Sequence, residues 1–452
     1  MRKSSLATSV ALIALSPTNP AFAASDTDIQ ALRQEIQAMK GAYENRISEL
    51  ESKLLDMETK QSAPSKTQTS AVNADSSSGR QVFNNDFNPS IGVILNGQYR
   101  NFSSDEGDIA GFAIGEEGER HGEGLAVDHT ELNFSANIDD KFAGSVTIAV
   151  AEHEGATEIE LEEAFVQTLP GIGLPDGMGI KAGRALWTIG YLNEHHSHAD
   201  DFTDRPLPYR AFLNGAYNDD GVEVSYVLPT DLYFEIGGGV FRGDDFPFGE
   251  AEGGGIGAWS AYTRVGGDIG YNQSWRVGTS VLSGEAKGGR MSNEDTVSFT
   301  GDTDLYIADV RYTWAPTGNA REQELILQGE YFWRSEDGVY EDTDAETGAV
   351  TLDDNSSGWY AQGVYKFHPQ WRIGARYSLL DAADTPAGLV GSALDSDGHD
   401  PKAYTVMLDW TNSEFSRVRL QFNREELAGS QGDNQVTVQY IMSLGAHGAH
   451  KY

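Results

Sequence analysis

Residues 434–444 read NQVTVQYIMSL: Val436, Val438, Tyr440, Met442 and Leu444 alternate with Gln435, Thr437, Gln439 and Ser443. Successive side chains of a strand point to opposite faces, so one face here is apolar and the other polar. The pattern recurs upstream. Val418, Leu420 and Phe422 alternate with Arg417, Arg419, Gln421 and Asn423. Trp371, Ile373, Ala375, Tyr377 and Leu379 alternate with Arg372, Gly374, Arg376 and Ser378. Leu132, Phe134, Ala136 and Ile138 alternate with Glu131, Asn133, Ser135 and Asn137. From about Phe87 onward there are roughly sixteen such segments of ~9–13 residues, the length a tilted strand needs to cross hydrocarbon. They start near Ser90, Val127, Lys141, Glu158, Gly177, Gly221, Leu232, Ile256, Ser274, Asp304, Glu322, Gly358, Gln370, Lys402, Phe415 and Asn434.

The connections alternate in length. Asp139-Asp140, Pro229-Thr230-Asp231, Gly270-Tyr271-Asn272, His368-Pro369 and Asn412-Ser413 are short turns after even segments. Residues 103–126, 187–220, 243–255, 288–303, 335–357 and 382–401 read as long, acidic loops after odd ones. Short turns at one end and long loops at the other describe an antiparallel transmembrane β-barrel with periplasmic turns and extracellular loops. Trp259, Tyr262, Trp275, Trp314, Trp333, Trp359, Phe367, Trp371, Trp410 and Phe415 fall near segment ends, where interfacial aromatic girdles belong.

The rest of the chain fits an exported protein. Arg2 and Lys3, the apolar run Leu6–Leu15 and Ala21-Phe22-Ala23 form a signal peptide over 1–23. Within 26–60, Ile29, Leu32, Ile36, Met39, Tyr43, Ile47, Leu50, Leu54 and Met57 recur at spacings of three and four. That seam predicts an α-helical coiled coil ahead of the barrel, in the periplasm. Residues 61–86 are small and polar and read as a linker to the barrel at 87–452. The 452 residues contain no cysteine, which removes thiolate chemistry and disulfides. A net charge of −37 argues against nucleic-acid binding. The mean hydropathy of −0.43 excludes a helical membrane protein but not a barrel, which needs apolar residues only at alternate positions.

A signal peptide, a coiled coil, a linker and these strands together resemble the bacterial outer-membrane porins of the phosphate-selective and siderophore-porin type. The likeness is strongest over 127–186, where VDHTELNFSANIDDKFAGSVTIAV, EIELEEAFVQTLPG and MGIKAGRAL follow one another. The resemblance implies that the third extracellular loop, here 187–220, folds into the lumen and narrows it. The coiled coil and the barrel together point to a homotrimer in outer-membrane lipid and lipopolysaccharide, though the seam residues fit a dimer as well as a trimer. The acidic loops depart from the basic pore of phosphate-selective members and argue against phosphate. A looser resemblance is to outer-membrane proteins associated with zinc uptake.

Two sets of candidate residues follow. His195, His196 and His198 stand beside Glu194, Asp200, Asp201 and Asp204 in the third loop. Imidazole plus carboxylate suits zinc and similar ions, so His195, His196, His198, Asp200 and Asp201 form one candidate metal set. His447 and His450 form a weaker one near the C-terminus. On the polar strand face, Arg264, Arg276, Arg311, Arg372, Arg376, Arg417 and Arg419 stand against Glu131, Glu160, Glu162, Glu223 and Glu235. These line the lumen, because a charge on the lipid face costs ~2–4 kcal/mol at midplane. Opposed charged walls either set a transverse field or pair into salt bridges. The expected function is passive diffusion of small hydrophilic solutes, leaning to cations; the alternative is a channel for zinc, another divalent metal or a metal chelate. No resident cofactor is implied, and no nucleophile motif suggests an enzyme.

Overall fold

The structure, a computed structural model, describes residues 89–445 apart from 105–106, 154–155, 250–254, 414 and 430–431. The expected signal peptide (1–23), coiled coil (26–60), linker (61–86) and His447 and His450 lie outside the described residues.

Sixteen strands follow in order: β1 (Ser90–Phe102), β2 (Gly124–Asn137), β3 (Phe142–His153), β4 (Ala156–Thr168), β5 (Met178–Leu186), β6 (Asn218–Val227), β7 (Tyr233–Phe241), β8 (Ala258–Asp268), β9 (Gln273–Ser292), β10 (Val297–Trp314), β11 (Glu324–Asp342), β12 (Val350–His368), β13 (Trp371–Asp381), β14 (Lys402–Ser413), β15 (Ser416–Glu426) and β16 (Asp433–Gly445). Each pairs antiparallel with the next, and β1 pairs with β16 to close the barrel. Closure leaves no unpaired sheet edge.

Alternation along each strand carries through. Val436, Val438, Tyr440 and Leu444 face outward, while Gln435, Thr437 and Gln439 are buried inside. Aromatics group on the outer face in register. Trp371 pairs with Trp410 near one rim, with ring centroids 6.5 Å apart. Tyr377 stacks at a tilt against Tyr404 at 4.9 Å and Trp359 at 5.3 Å near the other.

Two expected loops are not loops. Residues 288–303 and 335–357 mostly continue β9 to β12, which run to 20, 18, 19 and 19 residues. Beyond the lipid band the outer face meets water, while the inner face buries Val297, Phe299, Tyr340 and Leu352 against loop residues, so the apolar-outside pattern of a lipid-crossing strand is inverted. The outer face there carries Glu285, Asp302, Asp337 and Asp353 directly opposite one another across four strands.

The lumen is partly filled. The largest apolar cluster lies within it and draws on loops as much as strands: Phe112 and Ile114 from the β1–β2 loop, Trp187, Ile189 and Leu192 from loop 3, Phe332 and Tyr360 from the wall. A short helix of loop 3, α1 (Leu207–Leu213), is buried at all seven positions. Pro206 at its N-cap fixes the entry, and Asn214 ends it in a left-handed conformation (φ 50°).

Candidate functional site

Loop 3 leaves β5 at Leu186 and returns to β6 at Asn218. Its base is stapled shut. Asn193 donates to the carbonyls of Trp187 and Tyr217, both at 2.9 Å, and accepts from the Tyr217 backbone N–H at 2.6 Å. The Trp187 indole N–H donates to the Asp219 carbonyl at 2.8 Å. A loop closed at its base folds back as a unit, and this one folds into the barrel.

Its far flank is held by β11 to β13. Phe212 stacks on Phe332 at 5.9 Å, and Tyr209 packs edge-on against the same ring at 5.1 Å. Glu330 is buried beneath them. It accepts from the hydroxyls of Tyr360 at 2.6 Å and Tyr209 at 3.0 Å, and from the Tyr191 backbone N–H at 2.8 Å. A buried carboxylate with this many donors fixes geometry as well as satisfying its charge.

The arginines expected along the lumen face all reach loop 3. Arg264 pairs with Glu194. Arg276 and Arg311 stand over the Tyr191 ring at 4.4 and 4.8 Å. Arg372 pairs with Asp201 and Arg376 with Asp204, each at 2.7 Å. Arg417 and Arg419 donate to the carbonyls of His198 (2.8 Å) and Asp200 (2.9 Å). Asp409, fully buried, links Arg419 at 2.7 Å to Arg372. This wall is a rack for the loop. The two readings of the charges left open by the sequence therefore separate: here the guanidinium groups are engaged in contacts.

The glutamates lie elsewhere. Glu223 accepts from the Thr188 hydroxyl at 2.9 Å at the start of loop 3. Glu235 lies 3.8 Å from Arg264. Glu131, Glu160 and Glu162 are on β2 and β4, across the lumen from the rack. There a cavity of about 460 Å³ remains between loop 3 and the wall from β15 through β16 and β1 to β4. Gln435, Thr437, Gln439, Asn96 and Asn423 give it a neutral polar floor. Its charged lining holds eight carboxylates (Glu117, Glu119, Glu160, Glu162, Asp200, Asp204, Asp245, Glu425) against five arginines (Arg100, Arg120, Arg184, Arg205, Arg210) and His196, so carboxylates outnumber the cationic groups. Burial, then Glu294, raises the Glu119 carboxyl to about 7; burial, then Asp219, raises that of Asp245 to about 6.

The structure divides the third-loop metal set. His195 turns away: its Nδ1–H donates to the Tyr191 carbonyl at 3.0 Å, its ring stacks on Tyr191, and burial lowers its pKa. Asp200 pairs with Arg205 at 2.6 Å, yet burial raises it to about 6. Asp201 is also penalised by burial, but Arg372 and Arg311 outweigh this and lower its pKa. Neither aspartate joins the imidazoles. His196 and His198 do come together, rings 5.6 Å apart, and their partner is Glu131 of β2. His198 Nδ1 is 2.6 Å from one Glu131 oxygen, and His196 Nδ1 is 3.5 Å from the other.

His196 has two further carboxylates. Glu162 lies 3.1 Å from its Nδ1 and Glu163 lies 3.0 Å from its Nε2. Two consecutive strand residues normally face opposite ways. Here the β3–β4 register shifts at Thr147/Ile148, and the bulge turns both glutamates inward. Burial opposes a charged His196, but Glu162, Glu131 and these hydrogen bonds outweigh it and hold its pKa well above the usual value. His198 is driven down to about 3, first by burial and then by the His196 charge. Sequence reading had Glu131 and Glu162 as lumen residues only and missed Glu163. The signal was present: Glu162-Glu163 breaks the alternation of EIELEEAF.

No family model matches the chain. An uncharacterised protein of Aquifex aeolicus (strain VF5) is 28% identical over 394 residues, covering 81% of this chain and 80% of that one. Among solved structures, the outer membrane channel DcaP of Acinetobacter baumannii superposes with a TM-score of 0.50 at 12% identity, over 78% of this chain and 96% of that one. An anion-selective porin from Comamonas acidovorans does so with a TM-score of 0.50 at 12% identity, over 78% and 99%. The porin architecture expected from the sequence is the one found: a closed antiparallel barrel of sixteen strands with the fold of bacterial outer-membrane porins.

Proposed function

We propose that the protein is an outer-membrane porin that passes small hydrophilic solutes by diffusion, with a preference for cations. One observation carries this reading. An apolar outer wall encloses a lumen in which loop 3 leaves a polar cavity of about 460 Å³ with carboxylates in excess of arginines. Fixed charge of one sign beside a narrow aqueous path concentrates the opposite ion. The Comamonas porin of the same fold is anion-selective; the expected preference here is the reverse, because the arginines of β8 to β15 are engaged with loop 3. A homotrimer in lipopolysaccharide-bearing lipid, with residues 26–60 as a coiled coil in the periplasm, completes the reading.

Single-channel recording in planar bilayers tests it. The expected result is steady conductance with a reversal potential, under a KCl gradient, on the potassium side. Folded protein without conductance overturns the channel; an anion-side reversal potential overturns the preference. A second reading, a channel for a divalent metal ion or its chelate, is favoured by the His196–His198–Glu131 cluster beside the passage.

A further inference from the structure

The cluster at the β2 side of loop 3 has more order than general polarity requires. Glu131, His196 and His198 are all buried, and one donor atom from each lies within 4.8 Å of the others. The residues come from two separate elements, a strand and a loop, 67 positions apart for the His198–Glu131 contact. Both imidazoles turn Nδ1 toward the same carboxylate.

We propose that Glu131, His196 and His198 form a binding site for one divalent cation of the zinc class, and that its occupancy clasps loop 3 to the barrel wall and restricts cation flow. Three arguments carry it. The first is donor chemistry. Two imidazoles and one carboxylate are a borderline set that favours zinc-like ions over calcium or magnesium, which take oxygen ligands.

The second is geometry. Zinc–nitrogen and zinc–oxygen bonds of about 2.0–2.1 Å give a tetrahedron with edges of about 3.3–3.4 Å. The separation between His196 Nδ1 and Glu131 is 3.5 Å. The 2.6 Å separation runs from His198 Nδ1 to the other Glu131 oxygen, so a rotation of the carboxylate that presents one oxygen to both imidazoles completes the three-ligand set. Glu162, 3.1 Å from the same His196 Nδ1, and the cavity that His196 borders are available for a fourth ligand.

The third is the surrounding shell. Histidines that bind metals through one nitrogen commonly donate the other N–H to a carboxylate, which fixes ring and tautomer. Glu163 occupies that place, 3.0 Å from His196 Nε2, because the β4 bulge turns it inward. Three carboxylates around this pair of imidazoles also carry the negative charge that a divalent ion offsets. Arg417 points its guanidinium at the His198 carbonyl.

Binding and conductance are measured separately. The purified full mature chain in detergent is titrated with Co²⁺, read by its d–d absorption, and with Zn²⁺ by calorimetry. Heat-modifiable electrophoretic mobility reports the closed barrel. The expected result is one equivalent with a four-coordinate spectrum. Affinity falls at least about tenfold in Glu131→Gln and in His198→Ala, and about tenfold in Glu163→Gln with stoichiometry kept. His447→Ala/His450→Ala leaves it unchanged. If Glu131→Gln or His198→Ala fails to fold, His196→Asn supplies the test from the cavity edge. A folded parent without such uptake, or uptake indifferent to these substitutions, overturns the site.

The conductance arm alone rests on the porin reading. Zinc is expected to lower potassium conductance roughly twofold in the parent and not in the folded variant. Uptake with zinc-insensitive conductance overturns the clasp. Uptake in a protein that never conducts overturns the porin reading and leaves the site standing, whereas conductance without uptake does the opposite.

Discussion

The two halves of the lumen are built from the same alternating strands and treat loop 3 differently. On the side of β8 to β15, seven arginines, Glu330 and the aromatic rings of Phe332 and Tyr360 are engaged with loop 3. On the side of β16, β1 and β4, Gln435, Thr437, Gln439, Asn96 and Glu160 face the cavity, and the loop is met by Glu131, Glu162 and Glu163 at His196 and His198. A charged residue on a strand face is thus not by itself a permeation residue. What it does depends on whether a loop of opposite charge arrives to engage it. Loop 3 carries Glu194, Asp201 and Asp204 against the arginine rack, and the match explains why it lies there.

The comparison breaks most severely if the rack loses its counter-charge. Asp409→Ala leaves Arg372 and Arg419 buried without the carboxylate that joins them, a loss of about 3–5 kcal/mol. The expected outcome is a large drop in denaturation midpoint and noisy, enlarged conductance as loop 3 leaves the wall. Phe212→Ala tests the apolar half of the same docking. It removes a fully buried ring from between Phe112 and Phe332, at about 3–5 kcal/mol. The loop keeps its ion pairs, so conductance is expected to rise less than in Asp409→Ala.

The open side is sharpened by pH. Glu119 and Asp245 have carboxyls raised to about 7 and about 6, so they are neutral below those values and ionised above. Cation preference is expected to grow between about pH 5 and about pH 8, and Glu119→Gln/Asp245→Asn to flatten that rise, as read from reversal potentials. The smallest effect concerns the outer face above the lipid band. Asp302 sits opposite both Glu285 and Asp337. Asp302→Asn relieves directly opposed like charges and is expected to stabilise by about 0.2–1 kcal/mol, less at high salt, by thermal denaturation.

Alternation made the strands legible because lipid and lumen impose different chemistry on the two faces of every crossing segment. At 297–303 and 335–342 that contrast is inverted, with Val297, Phe299 and Tyr340 buried inside and Asp302 and Asp337 outside, so a reading tuned to apolar outer faces misses the ladder. The candidate site was legible in part. A His-rich stretch beside acids pointed to His196 and His198, but linked them to Asp200 and Asp201, which sit near them in the chain. Their partners in space, Glu131 and Glu163, are 67 and 33 residues away.

The sequence by itself determined that the chain forms a barrel of about sixteen strands, which face is wet, and that residues 187–220 are a long insertion. Local periodicity carries all of this, since it is a property of neighbours. That the insertion turns inward was implied by the family resemblance and is what the structure shows; only the tertiary structure decided that the arginines engage it and that a bulge aims Glu162 and Glu163 at one imidazole. Arg419 reaches the Asp200 carbonyl across 219 residues. Closure of the barrel brings such groups together, and no pattern along the chain records which ones will meet.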